Sequence, residues 1–594
     1  MQDIKQILIK KIIKAIREIY QKEADTSKIQ IQATRKDFEG DYTLVVFPLL
    51  AASGKAPLET ATEIGKYIKA STAEVSDFNV VTGFLNLTIS EIYWQSIFEE
   101  IYSIKNFGFK PSTGKKIVIE YSSPNTNKPL HLGHMRNNFL GWSVANILSA
   151  AGHDVAKVNL VNDRGIHICK SMLAWQELGN GETPKDAGMK GDKFVGKYYV
   201  LYNEEFKKQK EKLMAEGLSE KEAEAEAPWT KKARSILRRW ERGHKKTRQL
   251  WEKMNNWVYD GFDVTYSALG INFDKIYHES DTYLKGKEIV LNALKTGELS
   301  QREDSTVYLD LTEYGMDEKV LLRGDGTTVY MTQDIGTAII RYNDFKFDES
   351  IYVVGNEQDY HFKVLSVILD RLEYPWSNRL THLSYGMVEL PEGKMKSREG
   401  TVVDADDLLE EMITSARTSS EKSGKLTEVS DKEKKETYRK IALAALKFFI
   451  LKVDSKKNMV FNPKESIDFN GHTGPFIQYA YVRIQSLLNK ANNNNMYPKK
   501  GSDTLISKNE LELVKSIYNF SEILELASKK RNPSIIANYL YDLAGEYNSY
   551  YHNSPILKEE DEKIRNFRII LSEKTAEILK SGLSLLGIEV PERM

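Results

Sequence analysis

His131 and His134, with Leu132 and Gly133 between them, are the residues of this chain best suited to hold an anion. Upstream, Ile117-Val118-Ile119 is a short β-branched run and Ser122 to Pro129 is crowded with turn residues. From His131 onward Leu132, Met135, Phe139, Leu140, Val144 and Ile147 recur at helical spacing, so the order is strand, loop, helix. A helix N-terminus presents unpaired N–H groups and a partial positive charge, which makes it a phosphate site. Two histidines three apart share a face and can donate to one oxyanion. Gly133 leaves room for a flat base or a ribose against the backbone. The bland alternative is a helix start that happens to carry two histidines.

A second chemical signal lies two hundred residues on. The stretch Leu322-Arg-Gly-Asp-Gly-Thr-Thr-Val-Tyr-Met-Thr-Gln-Asp-Ile-Gly336 places a turn at Asp325-Gly326, a short strand, and then Tyr330 and Asp334 four apart. On a helix these two share a face. A phenol ring can stack on a planar cation while a carboxylate grips it with two parallel hydrogen bonds. The same spacing also occurs as an ordinary surface feature.

These residues need elements to hold them. At 594 residues the chain exceeds what one core can organise, and three or four domains are expected. Residues 1–112 read as a small α+β domain, opening with a helix whose stripe of Ile4, Leu8, Ile12, Ile16 and Ile19 marks it as folded structure. A strand around Tyr42 to Phe47, a helix near 57–70 and then the stretch Asn79 to Ile89, with Gly83-Phe-Leu-Asn-Leu87, follow. In residues 113–410 strands alternate with helical stretches, predicting a doubly wound parallel sheet of the Rossmann-like, α/β kind. Residues 190–260 are a charged helical insertion. Its part from Glu204 to Ala227 mixes both signs; Lys231 to Lys253 is more basic and carries Trp240 and Trp251, which suits either RNA or a solvated helix. A connecting helical segment over 411–465 leads to an all-helical C-terminal domain over 466–594.

Composition sets limits. A hydrophobic share of 41% with 28% charged residues is that of a soluble globular protein. Lys+Arg and Asp+Glu balance at 84 each, so any nucleic-acid contact must come from local patches. The lone Cys169 excludes a disulfide framework and every multi-cysteine zinc site, and fits a reducing compartment. No apolar run reaches the length of a membrane span.

The run Glu120-Tyr-Ser-Ser-Pro-Asn-Thr-Asn-Lys-Pro-Leu-His-Leu-Gly-His134 resembles the arginyl-tRNA synthetases, with His131-Leu-Gly-His134 in place of the HIGH motif of class I aminoacyl-tRNA synthetases. Tyr330-x-Thr-x-Asp334 and Tyr352-Val-Val-Gly-Asn-Glu-Gln-Asp-Tyr-His361 resemble two further active-site segments of that family. So do Phe469 to Arg483, Tyr541 to Tyr550 and the end Leu586 to Met594. The resemblance spans essentially the whole chain. It implies a ligase that activates arginine with ATP and passes it to the 3′ end of tRNA(Arg), with Mg²⁺ accompanying the ATP and no zinc. His131, Gly133 and His134 then hold ATP, and Glu120, Ser122, Asn125, Tyr330, Asp334 and Gln358 hold arginine, with His361 in support.

The class's second nucleotide loop, KMSKS, falls on Gly393-Lys-Met-Lys-Ser-Arg-Glu-Gly400. Lys394, Met395, Lys396 and Ser397 stand in it beside Arg398, but Ser397 replaces the usual second lysine; Lys128 is the candidate to supply the missing charge. For tRNA the resemblance offers Phe84 and Asn86 in the N-terminal domain, where finishing a sheet is an equal reading. In the C-terminal domain it offers Tyr479, Tyr481, Arg483 and Met594, with helix packing as the alternative. It also implies a cytoplasmic monomer without membrane attachment. Glutamate or glutamine specificity would want a cationic pocket where Asp334 stands, and cysteine specificity would want zinc ligands. A silent, tRNA-binding paralogue finds support only in the irregular Lys394 loop.

Overall fold

Alternating apolar residues near the N-terminus pair into an antiparallel sheet of β1 (Ile31–Ala33), β2 (Tyr42–Val45), β3 (Val75–Val81) and β4 (Phe84–Ile89), in the order β1-β2-β4-β3. The structure is a computed structural model and describes residues 3–35, 37–389, 403–423, 429–496 and 507–594. Residues 79–89 lie in a hairpin. Thr82 (φ 47°) and Gly83 (φ 83°) both take the left-handed conformation that a tight two-residue turn requires. Helices Ile4–Tyr20, Pro57–Ser71 and Glu91–Ser103 accompany this sheet. Ile4, Leu8, Ile12 and Ile16 of the first are buried as the stripe demands.

The chain folds as two units. The first draws on Met1–Phe107, Ile484–Ser521 and Gly545–Ile578, and the second on Gly108–Arg483, Glu522–Ala544 and Leu579–Met594. The C-terminal helices Gly474–Asn493, Lys508–Lys530, Ser534–Asn553 and Glu562–Leu585 therefore contribute to both. Within the first unit, Lys515 pairs with Asp41 at 2.6 Å and the Tyr518 hydroxyl lies 3.1 Å from Asp3 Oδ1.

The second unit is built on a five-stranded parallel sheet. Its strands are β5 (Lys116–Glu120), β6 (Asp154–Val161), β7 (Lys275–His278), β11 (Glu349–Gly355) and β12 (Leu380–Tyr385), in the order β12-β11-β5-β6-β7. The chain winds outward from β5 in one direction through β6 and β7, and returns on its other side as β11. Such a reversal opens a crevice at the carboxyl ends of the two central strands, here β5 and β11. A small antiparallel sheet of β8 (Ser300–Gln301), β9 (Val307–Leu309) and β10 (Lys319–Leu322) stands apart, and β13 (Val388–Glu389) pairs with β14 (Met459–Val460). The insertion consists of helices Gly191–Ala215, Glu220–Glu226, Pro228–Glu241 and Lys245–Leu269.

Helices Glu279–Thr296 and Tyr330–Phe345 cross at unusually close range. A methyl group added at Gly286 would overlap the Thr332 carbonyl, and one at Gly336 would press on the Gly286 backbone. Only glycine at both positions admits this approach.

Candidate active site

His131 is the N-cap of helix Leu132–Ala150, just beyond the carboxyl end of β5. Its Nδ1 accepts the Gly133 N–H at 3.1 Å, and His134 Nδ1 accepts the His131 N–H at 3.2 Å. The two imidazoles thus make a reciprocal capping box. With both Nδ1 atoms accepting, the proton of each neutral ring is assigned to Nε2, which becomes a donor. Burial, with Lys128 beside it, pushes His131 down to about 3; burial, then His131 and Lys128, pushes His134 well below its ordinary value. Both are neutral donors at physiological pH. The Lys128 Nζ lies 3.4 Å from His131 Nε2, so two donors face each other, a pairing that an anionic oxygen against both would satisfy. Gly133 has a local reason too: a Cβ there would stand 2.9 Å from His131 Cε1.

The turn after β5 is held in an uncommon shape. Ser122 and Ser123 both have positive φ, 77° and 45°, a conformation costly for residues with side chains. Asn137 Oδ1 accepts the Ser122 N–H at 2.5 Å and Asn159 Oδ1 the Ser123 N–H at 3.0 Å, which fixes it. The Ser122 hydroxyl is engaged inward with the Tyr266 hydroxyl at 2.7 Å. Asn125 is exposed beyond it, bridged to Asn162. Glu120 is buried at the end of β5; its Oε1 accepts from Ser123 Oγ at 2.9 Å and its Oε2 pairs with Arg341 Nη2 at 2.5 Å.

Across the crevice, Tyr330 opens helix Tyr330–Phe345 and is 72% exposed, leaving its ring face open to a ligand. Asp334 follows one turn later and meets His361 Nε2 at 2.6 Å. Gln358, in the short turn after β11, is exposed. Sequence reasoning missed Glu279. It is the first residue of helix Glu279–Thr296, buried, and raised to about 7, chiefly by burial. Arg164 opposes the shift, and the carboxylates of Asp163 and Asp334 add to it. The glycine crossing is what brings it near Asp334. Arg164 itself stacks 3.9 Å over the Tyr283 ring and pairs with Glu241 at 3.2 Å.

Residues 98–463 match the family profile described as tRNA synthetases class I (R), catalytic domain. The chain belongs to the arginyl-tRNA synthetase family. Residues 6–89 match the arginyl tRNA synthetase N terminal domain, and residues 477–594 the DALR anticodon binding domain. The arginine–tRNA ligase of Bacteroides thetaiotaomicron is 53% identical over the full length of both chains; that of Porphyromonas gingivalis is 53% identical over 98% of each. Among solved structures, the arginyl-tRNA synthetase of Thermus thermophilus superposes with a TM-score of 0.79 at 26% identity, covering 99% of this chain and all of that one.

For this arginyl-tRNA synthetase family member, Lys394, Met395, Lys396, Ser397 and Arg398 lie outside the described residues. The chain on either side of them is tied to the signature helix. Arg136 donates to the carbonyls of Met387 (3.2 Å), Ser455 (3.0 Å) and Lys457 (2.6 Å). Past those residues, Leu132 N–H donates to Val403 O and Ala405 N–H to Leu130 O.

The tRNA residues fare unevenly. Phe84 is half-buried and edge-on to Phe47 at 5.5 Å. Asn86 is 2% exposed, its amide accepting from Thr43 and donating to Asn79, so of its two readings the geometry favours finishing the sheet. Tyr479 is half-buried under the Arg483 guanidinium at 5.0 Å, whereas Tyr481 is buried in helix packing. Met594 is 8% exposed, its side chain turned into the protein instead of outward.

Proposed function

We infer that this chain activates arginine with ATP and transfers the arginyl group to the 3′ end of tRNA(Arg). The observation that carries this reading is the crevice itself. Neutral imidazole donors cap the helix that follows β5 at one end, and at the other Asp334 and the Tyr330 ring share the start of the helix that leads into β11, with Glu279 close enough to Asp334 to feel its charge. One end is chemistry for phosphate and the other for a guanidinium.

In the first step the arginine carboxylate attacks the α-phosphorus of ATP in line and pyrophosphate leaves. In the second, a hydroxyl of the terminal ribose attacks the arginyl carbonyl and AMP leaves. Little covalent work falls to the protein, and catalysis is positioning with charge stabilisation. His131 and His134 donate through Nε2–H to phosphate oxygens, and Lys128 adds a cation whose affinity for its proton is lowered by burial. Mg²⁺ enters as the companion of the ATP phosphates, part of the substrate. Lys394 and Lys396 are assigned to the departing pyrophosphate on the family pattern alone. Asp334 and Glu279 grip the guanidinium, Tyr330 and Gln358 wall it, and Glu120 and Asn125 take the ammonium and carboxylate. A lysine could not fill the forked geometry, and a neutral analogue would leave the buried Glu279 carboxyl without its cation.

The insertion supplies a candidate RNA track. From Lys231 to Arg248 the only acid is Glu241, which is turned to Arg164, while Arg234, Arg238 and Arg242 form an exposed row one turn apart. Arg164 joins that row to the edge of the amino-acid pocket, through Thr328 at 3.5 Å. Phe84, Tyr479 and Arg483 remain the candidates elsewhere. No helix among the described residues is long and apolar enough to cross a membrane. We place the protein as a cytoplasmic monomer on the family pattern. Transfer of labelled arginine to tRNA tests the whole reading: charging is expected, with loss after periodate oxidation of the 3′ ribose, and no charging of intact tRNA would refute it.

A further inference from the structure

We propose that Arg341 is a positioning residue for substrate recognition, holding the Glu120 carboxylate where the α-ammonium of arginine must meet it. The proposal rests on the assignment of Glu120 to that ammonium, and its tests separate the two.

Arg341 lies seven residues past Asp334 in helix Tyr330–Phe345, two turns along the same face and beneath the pocket. It is 0% exposed. Its Nη2 pairs with Glu120 Oε2 at 2.5 Å, and its guanidinium carbon stands 5.2 Å from the Tyr352 ring centre and 5.5 Å from that of Tyr277. Beyond this ion pair its guanidinium nitrogens have no hydrogen-bond partner among the described residues. Burial works against the charge, but the Glu120 carboxylate with the flanking Tyr352 and Tyr277 more than offsets it, so the group is held cationic.

A guanidinium has five N–H groups, and a buried one placed for stability is normally met by several acceptors. Arg341 has one carboxylate and two aromatic faces. That is a weak way to stabilise a core and an effective way to aim a carboxylate. Tyr352 sits directly opposite Glu120 in the β5–β11 register, so the ring that flanks Arg341 and the carboxylate it holds come from neighbouring central strands. With Oε2 taken by Arg341 and Oε1 steadied by Ser123, the free lone pair of Oε1 is the acceptor left for a ligand.

The test compares arginine with 5-guanidinopentanoate, which is arginine without its α-ammonium. In arginine-dependent ATP–pyrophosphate exchange, Arg341→Met is expected to raise the KM for arginine about tenfold or more, with the KM for ATP unchanged. The inhibition constant of 5-guanidinopentanoate should move less than about twofold, because that ligand draws nothing from Glu120. Glu120→Gln combined with Arg341→Met should be no worse than Glu120→Gln alone. Equal weakening of both ligands, or additive effects in the double variant, would overturn the proposal. If Arg341→Met does not fold, Arg341→Lys carries the same comparison: a loss confined to arginine supports the role, and equal losses refute it. Unchanged arginine affinity in Glu120→Gln would sink the assignment of Glu120 itself; a loss there with none in Arg341→Met would sink only the role of Arg341.

Discussion

A guanidinium is flat, always charged and forked, and the side chains gathered around Asp334 match each of those properties. Replacing Asp334 with Ala should raise the KM for arginine by about 100-fold while leaving that for ATP within about twofold; an unchanged arginine requirement would remove Asp334 from the pocket. His134→Ala should slow single-turnover adenylate formation by about 100-fold, because one neutral donor to the reacting phosphate is lost. Glu279 makes a pH prediction. Its carboxyl holds its proton up to about 7 in the empty pocket, and a guanidinium favours the charged form. Arginine binding should therefore release a proton and weaken as pH falls below about 7, and Glu279→Gln should abolish that dependence. Calorimetry in buffers of different ionisation enthalpy reads the released proton. A pH-independent affinity in the unsubstituted protein would contradict it. The same shift acts on stability with the opposite sense: a carboxyl raised in the folded state favours folding most below its ordinary value of 4.5, and that advantage is lost as pH rises to about 7.

At the scale of elements, the helix Pro228–Glu241 with its C-cap Arg242 presents Arg234, Arg238 and Arg242 as one exposed row. Changing all three to Gln should lower the salt-dependence slope of tRNA binding by about 2 to 3, since each phosphate contact contributes about 0.7 to 0.9. Lys207 and Lys212, exposed on the neighbouring helix amid acids, serve as the control and should leave the slope unchanged. An unaltered slope in the arginine triple would return that helix to plain solvated surface. The elements themselves were largely readable. Strand β5, the helix capped by His131 and the turn at Asp325-Gly326 each announce themselves through local residue types. Glu279 did not, because one acid among many gives no sign of burial, and its burial depends on the contact between Gly286 and Gly336, fifty residues apart in sequence. Ser122 and Ser123 hid their left-handed turn for a similar reason: serine does not signal positive φ, and the asparagines that hold it come from other elements.

At the scale of the molecule, the parallel catalytic sheet, the small N-terminal sheet and the helical C-terminal domain follow the order expected from the chain. The sharing of the C-terminal helices between two units was not legible. Pairings such as Lys515 with Asp41 join residues hundreds apart, and no local pattern encodes them. Net charge is equally uninformative, since Arg234, Arg238 and Arg242 stand in a chain whose total is zero. The most direct measurement is ATP–pyrophosphate exchange with each of the twenty amino acids, run with and without total tRNA. Exchange with arginine alone is the predicted result, and its dependence on tRNA would show whether RNA completes the site. Exchange supported by a different amino acid, or by none under either condition, would contradict the account.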